Sequence, residues 1–482
     1  MSAVPGEERI TTRLAVFHGL GSIAYGIKDN GFSTFLLLFY NQVLGMDPRL
    51  VSLALMIALV IDGLADPLIG YMSDRTYTRW GRRLPWLYLA PIPLAFAWVL
   101  MWAPSENPGM WHLVFTAVLV RLLLSCCEVP SVALVPELTR DYDERTTLMR
   151  WRFLFGWTGG LSIMLLAYTV FLAERADGTS GMLDARGYHA YGIFGAVVMA
   201  ATVLISARGQ HARIARWPER ARSPFSLRVA FAELRESFSH PAFLILLAGG
   251  GLAYTSQGIT FSISNYLYLY VWRFSQVDFI IYPLVIFASV VACFMLLPAL
   301  HRRWGKRDTA VVSALIGATV WVVPFLLRAA GLWPQEGSAA STTALFAAFF
   351  GSNVFSVAAM ISASSMVADV VEASQEQTGR RAEGAFFAGN FFMAKCATGM
   401  GIFLTGQLLY LAGMPANARP GEVPTAVIDN LAMVYVAAVI VFAIAIALVL
   451  RRFPITRADH EARLAALDAA ARVEVDGTGM HP

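Results

Sequence analysis

The chain has 482 residues, 57% apolar and only 15% charged, with a formal net charge of +4. A typical soluble protein carries roughly 25% charged residues, so a soluble globular domain is excluded and an integral membrane protein is implied. The small positive excess reports where arginines sit at the membrane surface and gives no sign of nucleic-acid binding.

Apolar stretches of roughly 20 residues, the length that crosses a bilayer as a helix, recur along the whole chain. Twelve are read, at 14–45, 50–73, 84–103, 110–138, 151–173, 190–207, 242–272, 277–300, 308–330, 341–372, 384–413 and 428–451. The segment 1–13 is too polar for a secretory signal, and the first span is too long for a signal h-region. Every second loop is arginine-rich: these hold twenty Lys and Arg against six in the alternate loops. The rich side is therefore expected to be cytoplasmic, with both termini on it. Cys126, Cys127, Cys293 and Cys396 all fall within spans and read as small core residues.

The second span contains Asp62 and Asp66. A spacing of i, i+4 stacks both carboxylates on one helix face. A charge at bilayer depth costs about 2.5–3.5 kcal/mol on insertion scales, so two on one face call for a cation, a proton or a partner. Neutralising either is expected to leave insertion intact. The competing reading is that Asp66, just before Pro67, caps a helix break.

Arg79-Trp80-Gly81-Arg82-Arg83 after the second span returns as Arg303-Trp304-Gly305-Lys306-Arg307 after the eighth. Two six-helix halves in parallel repeat would produce this. The expected division is 1–207, a bundle with the cation site; 208–241, a cytoplasmic linker with an amphipathic run at 225–238; 242–452, a second bundle; and 453–482, a cytoplasmic tail. Lysine is scarce, three residues among 37 basic ones, and Lys28 and Lys395 lie within spans. A lysine retained where arginine is otherwise used suggests a site needing a compact charge. Snorkelling or a local pair with Asp29 is the plainer reading of Lys28.

Asp62-Gly-Leu-Ala-Asp66-Pro67-Leu-Ile-Gly70, the Arg79–Arg83 loop and Pro85-Trp86 resemble the second helix and following loop of the glycoside–pentoside–hexuronide cation symporters. These form the melibiose-permease-like branch of the major facilitator superfamily. Gly26-Ile27-Lys28-Asp29, Glu128-Val-Pro130, Leu134-Val135-Pro136, Arg152-Phe153, Met366-Val-Ala-Asp369-Val-Val-Glu372 and Lys395 extend the likeness along the chain. The resemblance implies an all-α integral membrane fold of twelve helices in two pseudo-symmetric six-helix bundles. It also implies cation-coupled symport of a sugar, glycoside or sugar acid by a monomer in the plasma membrane, here a bacterial inner membrane, in contact with lipid.

The resemblance assigns the cation to Asp62, Asp66 and Ser125, and no cofactor beyond the coupling ion, Na+ or H+. Ala65 stands where the family has an asparagine ligand, which removes one neutral oxygen. Solute contacts fall on Asp29, Glu128 and Arg152, with Lys28 and Lys395 beside them. Carboxylates and a forked guanidinium suit a polyol. Val132 stands where the family stacks a tryptophan, so Tyr254 or Tyr266 is expected to supply an aromatic surface. That loss also admits an amphiphile, as in the vertebrate lysophospholipid symporters that the family resembles. Arg79, Arg82, Glu372, Arg380 and Arg381 are expected to form gating ion pairs, against the plainer reading of a charged rim. No nucleophile elbow or phosphate-cradling loop is present, so no enzyme is expected. A membrane receptor is the more distant alternative; it would not require buried charges in both halves.

Overall fold

The computed structural model describes residues 9–454 apart from 106, 140, 176–179, 216–240 and 379–382, and leaves aside the side chains of 142, 215, 372–378, 383–385 and 387. Among the described residues the chain is helical, with one isolated bridge between Thr78 and Gly81. The cause is solvent: without water, each backbone N–H and C=O must be satisfied within the element, and a helix does this alone.

A short helix, Thr12–Leu20, leads into α1 (Ile23–Asn30), α2 (Pro48–Arg75), α3 (Pro91–Trp102), α4 (Met110–Ala133), α5 (Tyr142–Leu166) and α6 (Ala185–Ala215). The second half of the chain holds α7 (Pro241–Tyr266), α8 (Gln276–Ala329), α9 (Ala339–Thr378), α10 (Glu383–Leu411) and α11 (Thr425–Leu450). Among the described residues, eight helices are long and apolar enough to cross a membrane. One of them, α8, runs for 54 residues and breaks only at Gly305, where φ is 73°. At 1.5 Å per residue that run measures about 80 Å, more than twice a hydrocarbon core, so the spans read at 277–300 and 308–330 lie on either side of the break. Helix α6 runs to Ala215, past the expected linker start, whereas the run 225–238 and the tail from 455 lie outside the described residues.

The repeat read from the sequence is also a repeat in geometry. Gly81 and Gly305, the central residues of the two motifs, both adopt positive φ, 92° and 73°. Only glycine takes that conformation without strain, which explains its place in each loop. The basic residue that follows each glycine reaches an acid on a later helical segment of its own half. Arg82 pairs with Glu137 at 2.8 Å and Lys306 with Asp369 at 2.6 Å.

Glycines also set the closest helix crossings. A Cβ on Gly26 of α1 would lie 2.1 Å from the Gly156 carbonyl oxygen of α5, and one on Gly401 of α10 would lie 2.2 Å from the Thr255 carbonyl oxygen of α7. The obstacle in each case is backbone, which cannot turn aside as a side chain can. Gly26→Ala and Gly401→Ala are each expected to destabilise by about 1–3 kcal/mol, the usual range for overpacking. Thermal unfolding in detergent checks this, and an unchanged midpoint in both would show that these crossings are loose.

The two halves are sealed together at one end. Tyr168 donates to Asn265 Oδ1 at 2.9 Å, and Asn265 donates to the Thr34 carbonyl at 2.9 Å. Gln42 donates to the Pro415 carbonyl and accepts from the Ala418 N–H and the Tyr270 hydroxyl, at 3.0, 2.8 and 3.3 Å. This is the arginine-poor end. Helices α2 and α10 stay in contact inward from it, with Gly406 against Ser52 and Gly63 against Phe392. Among the described residues, every hydrogen bond or ion pair seen between the halves lies at Lys395 or on its arginine-poor side.

Candidate functional site

Helix α2 runs unbroken through Pro67 to Arg75, so Asp66 does not cap a break. Its face carrying Asp62 and Asp66 packs on α4, where Ser125 stands between the two. The Ser125 Oγ lies 2.7 Å from Asp62 Oδ1 and 2.8 Å from Asp66 Oδ1. A hydroxyl has one hydrogen to donate, so it can serve only one carboxylate at a time.

One turn earlier on α4, Arg121 donates through Nη1 to Asp62 Oδ2 at 3.0 Å, with side-chain exposures of 4% and 2% for the two partners. Its guanidinium lies 4.4 Å from the centre of the Phe32 ring. Arg121 is absent from the residues singled out in the sequence. It could have been found as an arginine inside an apolar span, four residues before Ser125 and hence on the same face.

From the second half of the chain, Lys395 on α10 reaches across the interface. Its Nζ lies 2.5 Å from Asp66 Oδ2 and 2.9 Å from Asp62 Oδ2. Among the described residues, these are the ion pairs seen between the halves. Two carboxylates thus face two fixed cations, Arg121 and Lys395.

The residues expected to hold solute gather beside this cluster. Lys28 is buried and pairs with its neighbour Asp29 at 2.5 Å, while the Asp29 side chain is 65% exposed. Arg152 is buried, donates to Ser131 Oγ at 2.6 Å, and lies 5.3 Å from the centre of the Tyr25 ring. Lys28, Lys395, Asp29 and Arg152 lie within electrostatic reach of Glu128. Glu128 itself has no hydrogen bond or ion pair among the described residues. An unpaired carboxylate within an apolar span is costly unless something else completes it.

Tyr254 and Tyr266 part company. Tyr254 lines a cavity of about 240 Å³ in the second half, together with Gln257, Phe261, Trp321, Asn353 and, from the first half, Trp157. Tyr266 is fully buried and donates to Asn41 Oδ1 at 2.9 Å. The expectation that Tyr266 offers a face to solute is therefore corrected, since its ring and hydroxyl are used in the seal at the arginine-poor end. Of the expected gate, Arg82 pairs within its own half, as does Arg83, with Asp74 at 2.6 Å, and Arg79 lies over the Trp80 ring. Arg380, Arg381 and the Glu372 side chain lie outside the described residues. The four cysteines are free; Cys127 and Cys293 are buried, whereas Cys126 and Cys396, read as core residues, are half-buried.

Residues 17–457 match the sequence model of the family described as MFS/sugar transport protein. An uncharacterized symporter of Synechocystis sp. is 28% identical over 500 residues, aligned across 86% of this chain and 87% of its own. The isoprimeverose transporter of Lactiplantibacillus pentosus is 26% identical over 426 residues, across 86% and 82%. Among solved structures, a bacterial homologue of the human lysosomal transporter Spinster, inward-facing and unoccupied, superposes with a TM-score of 0.68 over 92% of this chain and 96% of its own. At 16% identity that likeness speaks for the fold alone.

Proposed function

Because the chain belongs to the MFS/sugar transport protein family, we propose that it is a secondary active transporter that carries a hydroxyl-rich solute together with a cation by alternating access. The solute is a sugar, glycoside or sugar acid. Twelve spans, with both termini cytoplasmic, form the two bundles 1–207 and 242–452 joined by 208–241, and the protein works as a monomer in a bacterial inner membrane. The sealed arginine-poor end is then the outer face.

The observation that carries this reading is Glu128, an unpaired acid set among Lys28, Asp29, Arg152 and Lys395. A carboxylate accepts hydroxyl hydrogen bonds and a guanidinium donates a rigid fork, so together they replace a polyol's hydration shell. Lys395 belongs both to this group and to the Asp62–Asp66 pair, so the solute region and the cation region share a side chain. When the halves rock, that shared contact is made or broken, which gives the two ligands a common two-state element.

Uptake into proteoliposomes of a panel of sugars, glycosides, uronates and lysophospholipids tests the proposal. At least one hydroxyl-rich member is expected to be concentrated under an imposed cation gradient. Glu128→Gln should weaken its apparent affinity by about 1–3 kcal/mol, roughly 5- to 150-fold, through the contacts it leaves unpaired. No concentrative uptake of any sugar-type member would end this reading. A second reading, an amphiphile, is favoured by the largely apolar cavity lined by Tyr254, Phe261 and Trp321, and the lysophospholipid arm of the panel decides it.

A further inference from the structure

Asp62 Oδ2 is fully engaged by protein donors. That oxygen takes Arg121 Nη1 at 3.0 Å and Lys395 Nζ at 2.9 Å, and Oδ1 takes Ser125 Oγ at 2.7 Å. Sodium is a hard cation that binds through several oxygen ligands at once. Here one oxygen of the inner carboxylate is occupied by two cationic side chains of its own protein, and the other shares the Ser125 hydroxyl with Asp66. A guanidinium keeps its charge throughout the accessible pH range, so Arg121 cannot step aside by losing a proton.

Asp62 and Asp66 carry two negative charges; Arg121 and Lys395 return two positive ones. The cluster is neutral as it stands. Any added cation leaves it net positive where Arg121 and Asp62 are 4% and 2% exposed, but a proton needs only one carboxylate oxygen, whereas sodium must also find several free oxygen ligands. Arg121 has few other partners: the Phe32 ring lies 4.4 Å from its guanidinium, and its Nε has no acceptor among the described residues. Its strongest partner is thus Asp62, and leaving would strand a buried cation.

We propose that Arg121 is a resident counter-cation that fills the place a sodium ion would take against Asp62, so that sodium is not the coupling ion of this chain. This rests on reading the Asp62–Asp66 pair as the coupling site. The helix supplies the cation by register alone, since Arg121 and Ser125 are four residues apart and share a face. Specificity for the ion is in this way set by a residue that makes no contact with solute.

The test uses the purified full-length protein in detergent at fixed pH, with sodium chloride compared against choline chloride at equal ionic strength. The wild-type melting midpoint is expected to be indifferent to the exchange. Arg121→Ala, which vacates the place beside Asp62, is expected to gain a saturable, sodium-specific rise of about 5 °C, the size that mass action gives at ligand well above its Kd. Arg121→Lys keeps the charge and should gain none. A folded Arg121→Ala that ignores sodium overturns the proposal, as does wild-type uptake stimulated by an inward sodium gradient at symmetric pH.

The wild-type arm decides even if the alanine variant does not fold. Uptake driven by a pH gradient and indifferent to sodium supports the proposal, and sodium-driven uptake removes it. Absence of uptake for every solute under either gradient would count against the transport reading instead, while the sodium response of the melting midpoint, measured without solute, would still report on Arg121.

Discussion

Asp62→Asn is expected to lose stability as well as transport, and to lose more of it than Asp66→Asn. From the sequence, neutralising either acid removes a charge from an apolar span and should leave folding and insertion intact. The structure reverses that expectation for Asp62. Its carboxylate is 2% exposed and is the partner of both Arg121 and Lys395. Removing one member of a buried pair leaves the other charge uncompensated, at a cost of about 3–5 kcal/mol. Asp66 is 28% exposed, and when it is neutralised Lys395 still has Asp62 within 2.9 Å. Tryptophan-detected thermal unfolding should therefore rank wild type above Asp66→Asn and Asp66→Asn above Asp62→Asn. Adding Arg121→Gln to Asp62→Asn should recover part of the loss, because the stranded charge goes too; contacting residues couple in this way. If Asp62→Asn melts with the wild type, the Arg121 pair carries no weight in the fold.

Lys395→Ala is expected to abolish concentrative uptake while leaving solute binding measurable. Lys395 comes from α10 and reaches two acids of α2, 2.5 Å from Asp66 and 2.9 Å from Asp62, and on the proposed function this contact is the link between movement of one half and the charge state of the other. It also lies within electrostatic reach of Glu128, in the solute region. On that proposal, a cation bound at the acids is expected to loosen the grip on Lys395 and free its charge for Glu128 and the solute. Coupling of this kind is a free energy shared by both ligands, typically 1–3 kcal/mol, or about 5- to 150-fold in affinity. The measurement is solute affinity with and without saturating coupling cation. In Lys395→Ala the cation-induced gain should largely vanish, whereas in the wild type it should persist. An unchanged gain in the variant would make Lys395 a bystander to coupling.

Some features were legible in the residues alone because their causes are local. Apolar run length specifies a spanning helix, since hydrocarbon permits little else. The Asp62–Asp66 spacing places both acids on one face at any rotation of the helix, and Ser125 meets them there. The two Gly-centred motifs announced a repeat, and both glycines do adopt the left-handed backbone that only glycine takes freely.

Arg121, Tyr266 and the closed end required the fold. A helix that must be apolar on every side shows no polar face to tell which way it points, so the sequence did not say whether Arg121 turned to Asp62 or to a neighbouring helix. Tyr266 reads equally well as a solute platform or as packing until Asn41, 225 residues away in sequence, is seen to accept its hydroxyl. The ends of the halves are likewise sealed by contacts such as Gln42 with Ala418, 376 residues apart, which no local pattern records. Hydrophobicity and helical periodicity act over one or two turns and so fix the elements. The pairing of buried charges acts across the chain, and at this site it is the packing of α2 against α4 and α10 that joins Asp62 to Arg121 and Lys395.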